Sequence, residues 1–479
     1  MKSIYQLQIS INIKFEKLVL SLIKFEKKSL KIIYSVEMKI MKFGGTSVGN
    51  PDRMKALIPL ITDEERKIVV LSAMSGTTNS LVEITGLLYS EDTNMACGKI
   101  EELRSKYHNV VQELYTFDGT RQIGHEIIDS HFNYITNFTL KAFTKLQEKA
   151  ILAQGELIST GLFHLLLQEN NIRSVLLPAL TFMRIDKYGE PDLFYIEENL
   201  RRELENHTTE NIIITQGFIC RDAFGEIDNL KRGGSDFSAS LIGAALNVSE
   251  IQIWTDINGF HNNDPRYVKN TRVIRELSFD EAAELAYFGA KILHPSSVNP
   301  ARERNIPVRL KNTMDPDDPG TLITSESVLQ DYKAVAAKDG ISVLRIRSDR
   351  MLMAYGFLRK VFEIFEAYRT PIDMITTSEV AISLTIDNSE YLPQIAKDLN
   401  ELGSVEVEEN QSIICVVGDF RTQKTGSAPE IFEALNTIPL KMISYGGSPN
   451  SLSLLIDTSN KIKALRLLSK HLFNDKNSK

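Results

Sequence analysis

The stretch MKIMKFGGTSVGNP, residues 38–51, sets the organisation of the rest of the chain. Its apolar first half predicts a β-strand, and the Asn-Pro pair at its end is typical of the cap and first residue of a helix. Between them, Gly44 and Gly45 predict a loop whose backbone N–H groups converge on an anion. Lys42 and the positive end of the following helix add charge at the same place. The stretch predicts a phosphate site, although a tight turn that binds nothing fits it equally well.

The composition of the chain narrows the class of protein. A length of 479 residues predicts two or three domains, and 43% hydrophobic with 24% charged residues is typical of a globular protein. The net charge of -7 argues against nucleic acid or an anionic membrane as a partner. Cys97, Cys220 and Cys415 lie far apart without metal-ligand or redox spacing, which indicates reduced thiols in a cytoplasmic protein.

The first 37 residues interleave lysines with Ile, Leu and Phe. Their apolar centre is short and flanked by lysines, so we reject a signal peptide, and we expect no membrane span because no run of about twenty apolar residues occurs. A basic amphipathic anchor remains an alternative. We favour an N-terminal extension from a mispredicted start, with Met38 as the initiator, because the first convincing strand begins there.

The residues after this loop repeat one pattern. Residues 67–72 predict a buried strand, residues 72–80 a polar loop and residues 81–89 a helix. Residues 91–150 predict helices, and residues 211–219 predict another strand. This alternation is typical of a mostly parallel sheet with helices on both faces, whose ligands bind where the strands end.

A second glycine pair lies in the sequence KRGGSD, residues 231–236, directly before a predicted helix. Asp236 is then either an N-cap or part of a site at the helix N-terminus. Two glycine loops with cationic neighbours, one at each end of the same predicted sheet, favour a polyphosphate ligand. The P-loop pattern and the dinucleotide-binding pattern after a strand do not occur, which disfavours a P-loop enzyme and a Rossmann oxidoreductase.

One carboxylate lies in an unexpected place. Glu156 belongs to an apolar predicted helix, residues 151–167, where a charge is costly without a partner. It is either part of a salt bridge or a ligand for a substrate ammonium group.

Five motifs follow in a fixed order: KFGGTSV at 42–48, GEL at 155–157, RGGSD at 232–236, WTD at 254–256 with DPR at 264–266, and FGAKILHP at 288–295. In order and spacing they resemble the aspartate kinases of the amino acid kinase family. The resemblance implies a three-layer α/β sandwich with a mostly parallel sheet over residues 38–325. It also implies transfer of the γ-phosphoryl group of MgATP to the β-carboxylate of L-aspartate, the first step of lysine, threonine and methionine synthesis. The length of the chain leaves no room for a fused homoserine dehydrogenase.

The resemblance assigns roles residue by residue. The catalytic residues are Lys42 and Asp236. Aspartate is bound by Ser72, Thr78, Glu156 and Arg232. The ATP contacts are Gly44, Gly45, Thr255, Asp256, Arg266 and Lys291, with Mg²⁺ on the nucleotide and no protein metal site. The chain departs from the family at His261, where tyrosine is usual. Since the acceptor carboxylate is already ionised at neutral pH, no general base is needed.

The C-terminal part carries an internal repeat. Residues 364–375 recur as residues 431–443 with one inserted residue, and an alternating strand follows each copy. The pattern predicts two ferredoxin-like units of strand, helix, strand, strand, helix and strand.

These units resemble tandem ACT domains, at residues 335–405 and 406–479. The resemblance implies feedback inhibition, commonly by lysine, at Met351, Gly356, Phe357, Leu358, Asp373, Thr377, Ser378 and Glu379. Asp373 and Glu379 offer acidic partners to a lysine ammonium group. The resemblance also implies a homodimer or homotetramer formed through the ACT domains, and a dimerisation module without a ligand is the alternative. Two further functions stay open: another carboxylate or carbamate kinase, and an inactive amino acid sensor.

Overall fold

A computed structural model describes residues 38–140, 142–230, 233–289, 293–348, 351, 355–421 and 426–473. The N-terminal part contains the strands β1 (Lys39–Phe43), β2 (Lys67–Leu71), β3 (Ser174–Leu176), β4 (Ile212–Gln216), β5 (Ile219–Arg221), β6 (Ile227–Asn229), β7 (Glu250–Thr255), β8 (Glu276–Ser278), β9 (Val308–Asn312) and β10 (Thr321–Thr324). Its helices are α1 (Pro51–Ile61), α2 (Thr77–Tyr89), α3 (Thr93–Leu114), α4 (Asp118–Asn137), α5 (Lys145–Leu152), α6 (Gln154–Glu169), α7 (Leu193–Glu205), α8 (Gly234–Leu246), α9 (Phe279–Tyr287) and α10 (Asn299–Glu303). The expected N-terminal extension, residues 1–37, lies outside the described residues.

The large sheet has the strand order β3-β4-β2-β1-β7-β9-β10-β8. Its neighbours run parallel except for β9 and β10, which are antiparallel. Successive residues of β1 point to opposite faces, so Ile40 joins one hydrophobic core and Met41 the other. Helices cover both faces, and the predicted three-layer α/β sandwich is confirmed.

Local signals fixed the start of α1 as predicted. The Asn50 side chain accepts a hydrogen bond from the Arg53 backbone N–H at 2.9 Å, and Pro51 is the first helical residue. The predicted helix at residues 151–167 is instead two helices, because α5 ends at Leu152 and α6 begins at Gln154. Together they form the one described stretch, Lys145–Glu169, that is long and apolar enough to cross a membrane. Its most apolar window is 78% buried inside the protein, which makes it weak evidence for a span.

The C-terminal part contains the strands β11 (Tyr332–Arg347), β12 (Met374–Thr377), β13 (Ala381–Ile386), β14 (Ser404–Gly418), β15 (Met442–Ser444) and β16 (Ser451–Asp457). Its helices are α11 (Phe357–Ala367), α12 (Leu392–Leu399), α13 (Ser427–Ala434) and α14 (Lys461–Leu472). The strands form one antiparallel sheet in the order β12-β13-β11-β14-β16-β15. Two hydrophobic cores lie on it, one under α11 and α12 and the other under α13 and α14.

The two units are interleaved, which corrects the expected boundary between residues 405 and 406. Residues 341–347 of β11 pair with residues 404–411 of β14, whereas residues 332–338 pair with residues 413–418. Both long strands therefore serve both units, and β14 runs through the expected boundary. A register shift near Gly340, whose φ is +76°, marks where one unit passes into the other. The repeat pattern could not reveal this arrangement, because the strand that completes the second unit precedes the first unit in the chain.

Candidate active site

The candidate site lies at one edge of the large sheet. The parallel strands β1, β2, β4, β7 and β9 end there in register. Backbone hydrogen bonds continue just past the ends of two strands. The Gly44 N–H, after β1, donates to the Trp254 carbonyl of β7 at 3.2 Å, and the Gly217 N–H, after β4, donates to the Leu71 carbonyl of β2 at 2.9 Å. The loops after these strands are thereby gathered at one place.

Lys42 and Asp236 join the two glycine loops. The ammonium group of Lys42 on β1 lies 2.6 Å from a carboxylate oxygen of Asp236 on the first turn of α8. Both residues are buried. The sequence placed the two loops at opposite ends of the sheet, and the structure instead makes them neighbours.

Both glycine loops require residues without a side chain. Gly233 caps α8 with φ of +77°, a conformation that other residues rarely adopt. A Cβ at Gly45 would lie 3.0 Å from the carbonyl oxygen of Ala73, and a Cβ at Gly44 would lie 3.6 Å from the Lys42 ammonium nitrogen. The backbone of the first loop therefore lies against the Lys42 ammonium group and against the loop after β2.

Glu156 is the most unusual group of the site. Glu156 is 4% exposed, and its Oε1 accepts a hydrogen bond from the Ala73 backbone N–H at 3.2 Å. Its Oε2 is buried and has no hydrogen-bond partner. Burial raises the pKa of Glu156 to about 8, against the smaller opposing effects of hydrogen bonds and Lys42. Among the described residues Glu156 forms no salt bridge, so the site offers an acceptor for a cationic ligand group.

Other predicted aspartate contacts lie on the loop and helix after β2. Ser72 is half-buried, and its carbonyl accepts a hydrogen bond from the Ser159 hydroxyl at 2.8 Å. Thr78 is exposed on the first turn of α2. Arg232, and Lys291 on the nucleotide side, lie outside the described residues.

The predicted nucleotide contacts divide into two groups. Thr255 is the last residue of β7 and Asp256 follows it, at the edge where Lys42 lies, and the Thr255 hydroxyl donates to the Asp256 carboxylate at 3.2 Å. Arg266 instead forms a two-pronged ion pair with Asp264, and its side chain is 73% exposed. No described contact links Arg266 to Lys42, so its nucleotide role stays a prediction.

His261 is half-buried, and its Nδ1 lies 2.9 Å from the Thr271 hydroxyl. Burial lowers the pKa of His261, so the ring is neutral at pH 7.

Most of the predicted regulatory residues lie around α11 and β12. Gly356 caps α11 with φ of +80°, Phe357 is half-buried and Leu358 is exposed. Met351 donates a backbone hydrogen bond to the Ser348 carbonyl. Thr377, Ser378 and Glu379 are exposed at the end of β12.

Asp373, which we expect to offer an acidic partner to a lysine ammonium group, already pairs with a cation of the protein. Its side chain is fully buried and forms an ion pair with Lys338 at 2.8 Å. Its Oδ1 also accepts a hydrogen bond from the Tyr287 hydroxyl at 2.5 Å, so Asp373 contacts a helix of the N-terminal part.

Several residues of the site carried no sequence signal. Ala73 contributes its backbone N–H to Glu156, a role that any residue type can fill. The Ser47 hydroxyl of the first glycine loop lies 2.7 Å from the Thr313 hydroxyl, although 266 residues separate the two. A buried pair of Thr77 and Tyr107 hydroxyls, 2.7 Å apart, fixes the start of α2. These contacts join residues that are far apart in the chain, so they depend on the tertiary fold and no local sequence pattern predicts them.

A lysine paired with a carboxylate between two glycine loops, at the ends of parallel strands, defines a phosphotransferase of the amino acid kinase class. Residues 37–312 match the model of the amino acid kinase family, and residues 414–472 match that of an ACT domain. The lysine-sensitive aspartokinase 3 of Escherichia coli is 32% identical over 451 residues, covering 91% of this chain and 99% of that protein. The crystal structure of E. coli aspartokinase III in complex with aspartate and ADP, in the R-state, matches with a TM-score of 0.78 at 31% identity. The match covers 91% of this chain and 100% of the E. coli chain.

A second structure of the E. coli enzyme, in complex with lysine and aspartate in the T-state, matches over the same share of both chains with a TM-score of 0.75 at 31% identity. The chain belongs to the amino acid kinase family and, within it, to the aspartokinases.

Proposed function

We propose that the protein is an ATP-dependent aspartate kinase that transfers the γ-phosphoryl group of ATP to the β-carboxylate of L-aspartate. The observation that carries this proposal is the buried Lys42–Asp236 pair, which lies between two glycine loops with the unpartnered Oε2 of Glu156 nearby. The loops suit phosphate groups, and Glu156 suits an ammonium group. An amino acid acceptor supplies that ammonium together with a nucleophilic carboxylate.

Glu156 would bind the α-ammonium group of aspartate. In the ligand-free protein, burial favours the protonated acid. A bound ammonium group stabilises the ionised form, so aspartate binding below pH 8 releases a proton from Glu156. Arg232 would bind the α-carboxylate, with Ser72 and Thr78 beside it. This arrangement leaves the β-carboxylate as the group that faces the nucleotide.

The chain's own residues would then stabilise the phosphoryl group in transfer. Lys42 supplies a full positive charge, and the N–H groups of the loop at Gly44 and Gly45 supply fixed dipoles. Asp236 holds the Lys42 ammonium group in position at 2.6 Å. The acceptor carboxylate is ionised at pH 7, so the reaction requires positioning and charge stabilisation rather than a base.

The nucleotide and its metal fit this edge of the sheet. A Cβ at Gly45 would lie only 3.0 Å from the Ala73 carbonyl oxygen, so the close packing of the two loops requires glycine there, and we propose that the backbone N–H groups of this loop bind the phosphates. Thr255, Asp256, Arg266 and Lys291 are our proposed further contacts. Mg²⁺ neutralises phosphate charge when it is bound, and we expect the phosphate oxygens to be its main ligands. The described residues contain no cluster of three or more His, Cys, Asp or Glu that could hold it alone.

The C-terminal units would make the enzyme responsive to lysine. The E. coli relative carries lysine sensitivity in its name. We propose that the ammonium group of the effector binds at Asp373, and that its carboxylate binds at the start of α11 near Gly356. We also propose that residues 38–325 are the catalytic domain, and that homodimers or homotetramers form through the ACT units. A cytoplasmic location is our inference from the three free thiols.

An aspartyl hydroxamate assay with ATP, Mg²⁺ and L-aspartate tests the proposal. We expect aspartate-dependent turnover that fails with succinate, which lacks the ammonium group, and with asparagine, which lacks the nucleophile. Turnover with carbamate or with succinate in preference to aspartate would overturn the assignment. Aspartate binding without turnover would favour an inactive sensor instead.

A further inference from the structure

A long loop of the N-terminal part reaches the last helix of the chain. The loop, residues 256–275, joins β7 to β8 and has no helix or strand of its own. Its base is closed by a backbone hydrogen bond, which the Asn262 N–H donates to the Arg272 carbonyl at 2.9 Å. Between these residues lies the loop tip, residues 263–271. The loop tip carries Arg266, one of our proposed ATP contacts.

Three contacts join the loop tip to α14. The side-chain amide of Asn263 is buried and donates to the Leu465 carbonyl at 3.1 Å. The Arg466 guanidinium group donates to the Tyr267 carbonyl at 3.1 Å. The Lys461 ammonium group lies 4.5 Å from the centre of the Tyr267 ring, within range of a cation–π interaction. The loop tip is thus bound to a helix about 200 positions further along the chain.

The loop tip also contributes to a hydrophobic core of the C-terminal part. Val268 is buried in the core under α13 and α14, together with Leu465 and Leu468. At the base of the loop, the Val335 N–H of β11 donates to the Asn262 carbonyl at 2.9 Å. A loop without regular structure has many accessible conformations, and buried contacts select among them. The C-terminal part therefore supplies buried contacts that determine the conformation of a loop in the N-terminal part.

We propose that α14 is a structural part of the nucleotide site, and that Asn263 and Arg466 are positioning residues that hold Arg266 where it binds the nucleotide. The inference rests on the proposed function, which makes Arg266 a nucleotide contact. Arg266 pairs with Asp264 of the same loop, so this ion pair moves with the loop and does not fix its position. Because α14 orders the loop tip before the nucleotide arrives, binding loses less conformational entropy and is tighter. This positioning requires no effector.

Replacement of Arg466 by methionine tests the inference in the full chain. Arg466 is exposed, so the variant should fold, and it loses the hydrogen bond to the Tyr267 carbonyl. We expect the dissociation constant of MgADP, measured by calorimetry, to rise by about 3- to 10-fold, which corresponds to the net value of one hydrogen bond. In the hydroxamate assay the KM for ATP should rise by the same factor, whereas kcat and the KM for aspartate should not change. Arg466→Lys keeps a cationic N–H donor and should restore most of the affinity.

Hydrogen exchange measures the anchoring of the loop without any nucleotide. The N–H groups of Tyr267 and Val268 both donate to the Asp264 carbonyl, so their exchange rates report how often the loop tip opens. Both should exchange faster in Arg466→Met. Asn263→Ser is a second variant: its side chain is too short to reach the Leu465 carbonyl, and it should have the same two effects.

A matched control lies on the same helix. Lys463 is exposed, and its ammonium group donates to the Thr437 carbonyl at 3.4 Å within the C-terminal part. Lys463→Met removes the same charge from α14 as Arg466→Met. It should keep the wild-type affinity for MgADP and the wild-type exchange rates, which would exclude a general effect of the charge of the helix.

The outcomes separate this inference from the catalytic proposal. Unchanged MgADP affinity or unchanged exchange in Arg466→Met, or an equal loss of affinity in Lys463→Met, would overturn the inference. Turnover of aspartate by Arg466→Met with the wild-type KM for ATP would overturn it and leave the catalytic proposal intact. MgADP binding that depends on Arg466 would support it even if the hydroxamate assay detected no turnover. A wild-type chain that does not bind MgADP would overturn both.

Discussion

Replacement of Glu156 by glutamine should make the ligand-free protein more stable and the enzyme worse. The pKa of Glu156 is about 8 in the folded protein and 4.5 in the unfolded reference. Between these values the folded state keeps a proton that the unfolded state loses, so the stability of the wild type falls as the pH rises through this window. Above pH 8 the loss levels off, because the carboxyl is then ionised in both states.

The size of the effect follows from the same two values. Each pH unit corresponds to about 1.4 kcal/mol, so the wild type loses up to about 3 kcal/mol by pH 7 and up to about 5 kcal/mol above pH 8. Glutamine keeps the shape and can still accept the Ala73 hydrogen bond without this loss. We therefore expect the variant and the wild type to unfold at similar urea concentrations at pH 5, and the variant to be the more stable at pH 8.

The same variant should bind aspartate poorly. Loss of a charge-assisted hydrogen bond to the ammonium group should raise the KM for aspartate by about 10- to 100-fold. In the wild type this KM should fall by about tenfold per pH unit up to pH 8, because only the ionised carboxyl pairs with the ammonium group. In the variant that slope should vanish. Glu169→Gln, on the last turn of α6, is the matched control and should leave both properties of aspartate binding unchanged. A Glu156→Gln variant that is less stable than the wild type at pH 8, with an unchanged pH slope, would refute the reasoning.

Three further substitutions test other parts of the structure. Lys42→Met should lower turnover by about a thousandfold or more, the scale of a transition-state cation, and near-wild-type activity in the hydroxamate assay would contradict the role of Lys42. Gly289→Ala should lower the free energy of unfolding by more than about 2 kcal/mol, because its φ of +136° and the contact with the Ala337 carbonyl exclude a Cβ, and an unchanged urea midpoint would contradict this. Lys333→Met should lower the free energy of unfolding by about 3 kcal/mol, because it leaves the buried Glu281, 2.8 Å from the lysine nitrogen, without its cation. Adding Glu281→Gln to this variant should recover much of that loss in the same urea measurement.

The sequence predicted those parts of the site that depend on local chemistry. The glycine pairs, the strand before each of them and the Asn50 cap are local features, and the structure contains all of them. Lys42 and Asp236 were predicted separately, and each was correctly assigned to a glycine loop. Their direct contact could not be predicted, because 194 positions separate them and only the sheet order brings their loops together.

The C-terminal part shows where a repeat pattern stops being informative. The pattern located the first helix of each unit and the short strands that follow it. It did not reveal that β11 passes through both units, since pairing partners in a sheet are set by the whole fold rather than by neighbouring residues. For the same reason the sequence predicted Asp373 as an acidic partner for a ligand and did not predict its partners within the protein. Its partners Lys338 and Tyr287 lie 35 and 86 positions away.

The proposed catalytic and effector sites share one physical feature. Glu156 and Asp373 are both buried carboxylates with one oxygen that has no hydrogen-bond partner. An uncharged analogue of the ligand cannot remove the cost of such an oxygen, whereas an ammonium group removes it by charge and by hydrogen bonding together. Each proposed site therefore selects its ligand through the unfavourable free energy of a buried, unpartnered carboxylate oxygen, which a ligand with an ammonium group removes. Because such a ligand binds the folded state alone, aspartate and lysine should each stabilise the protein against unfolding.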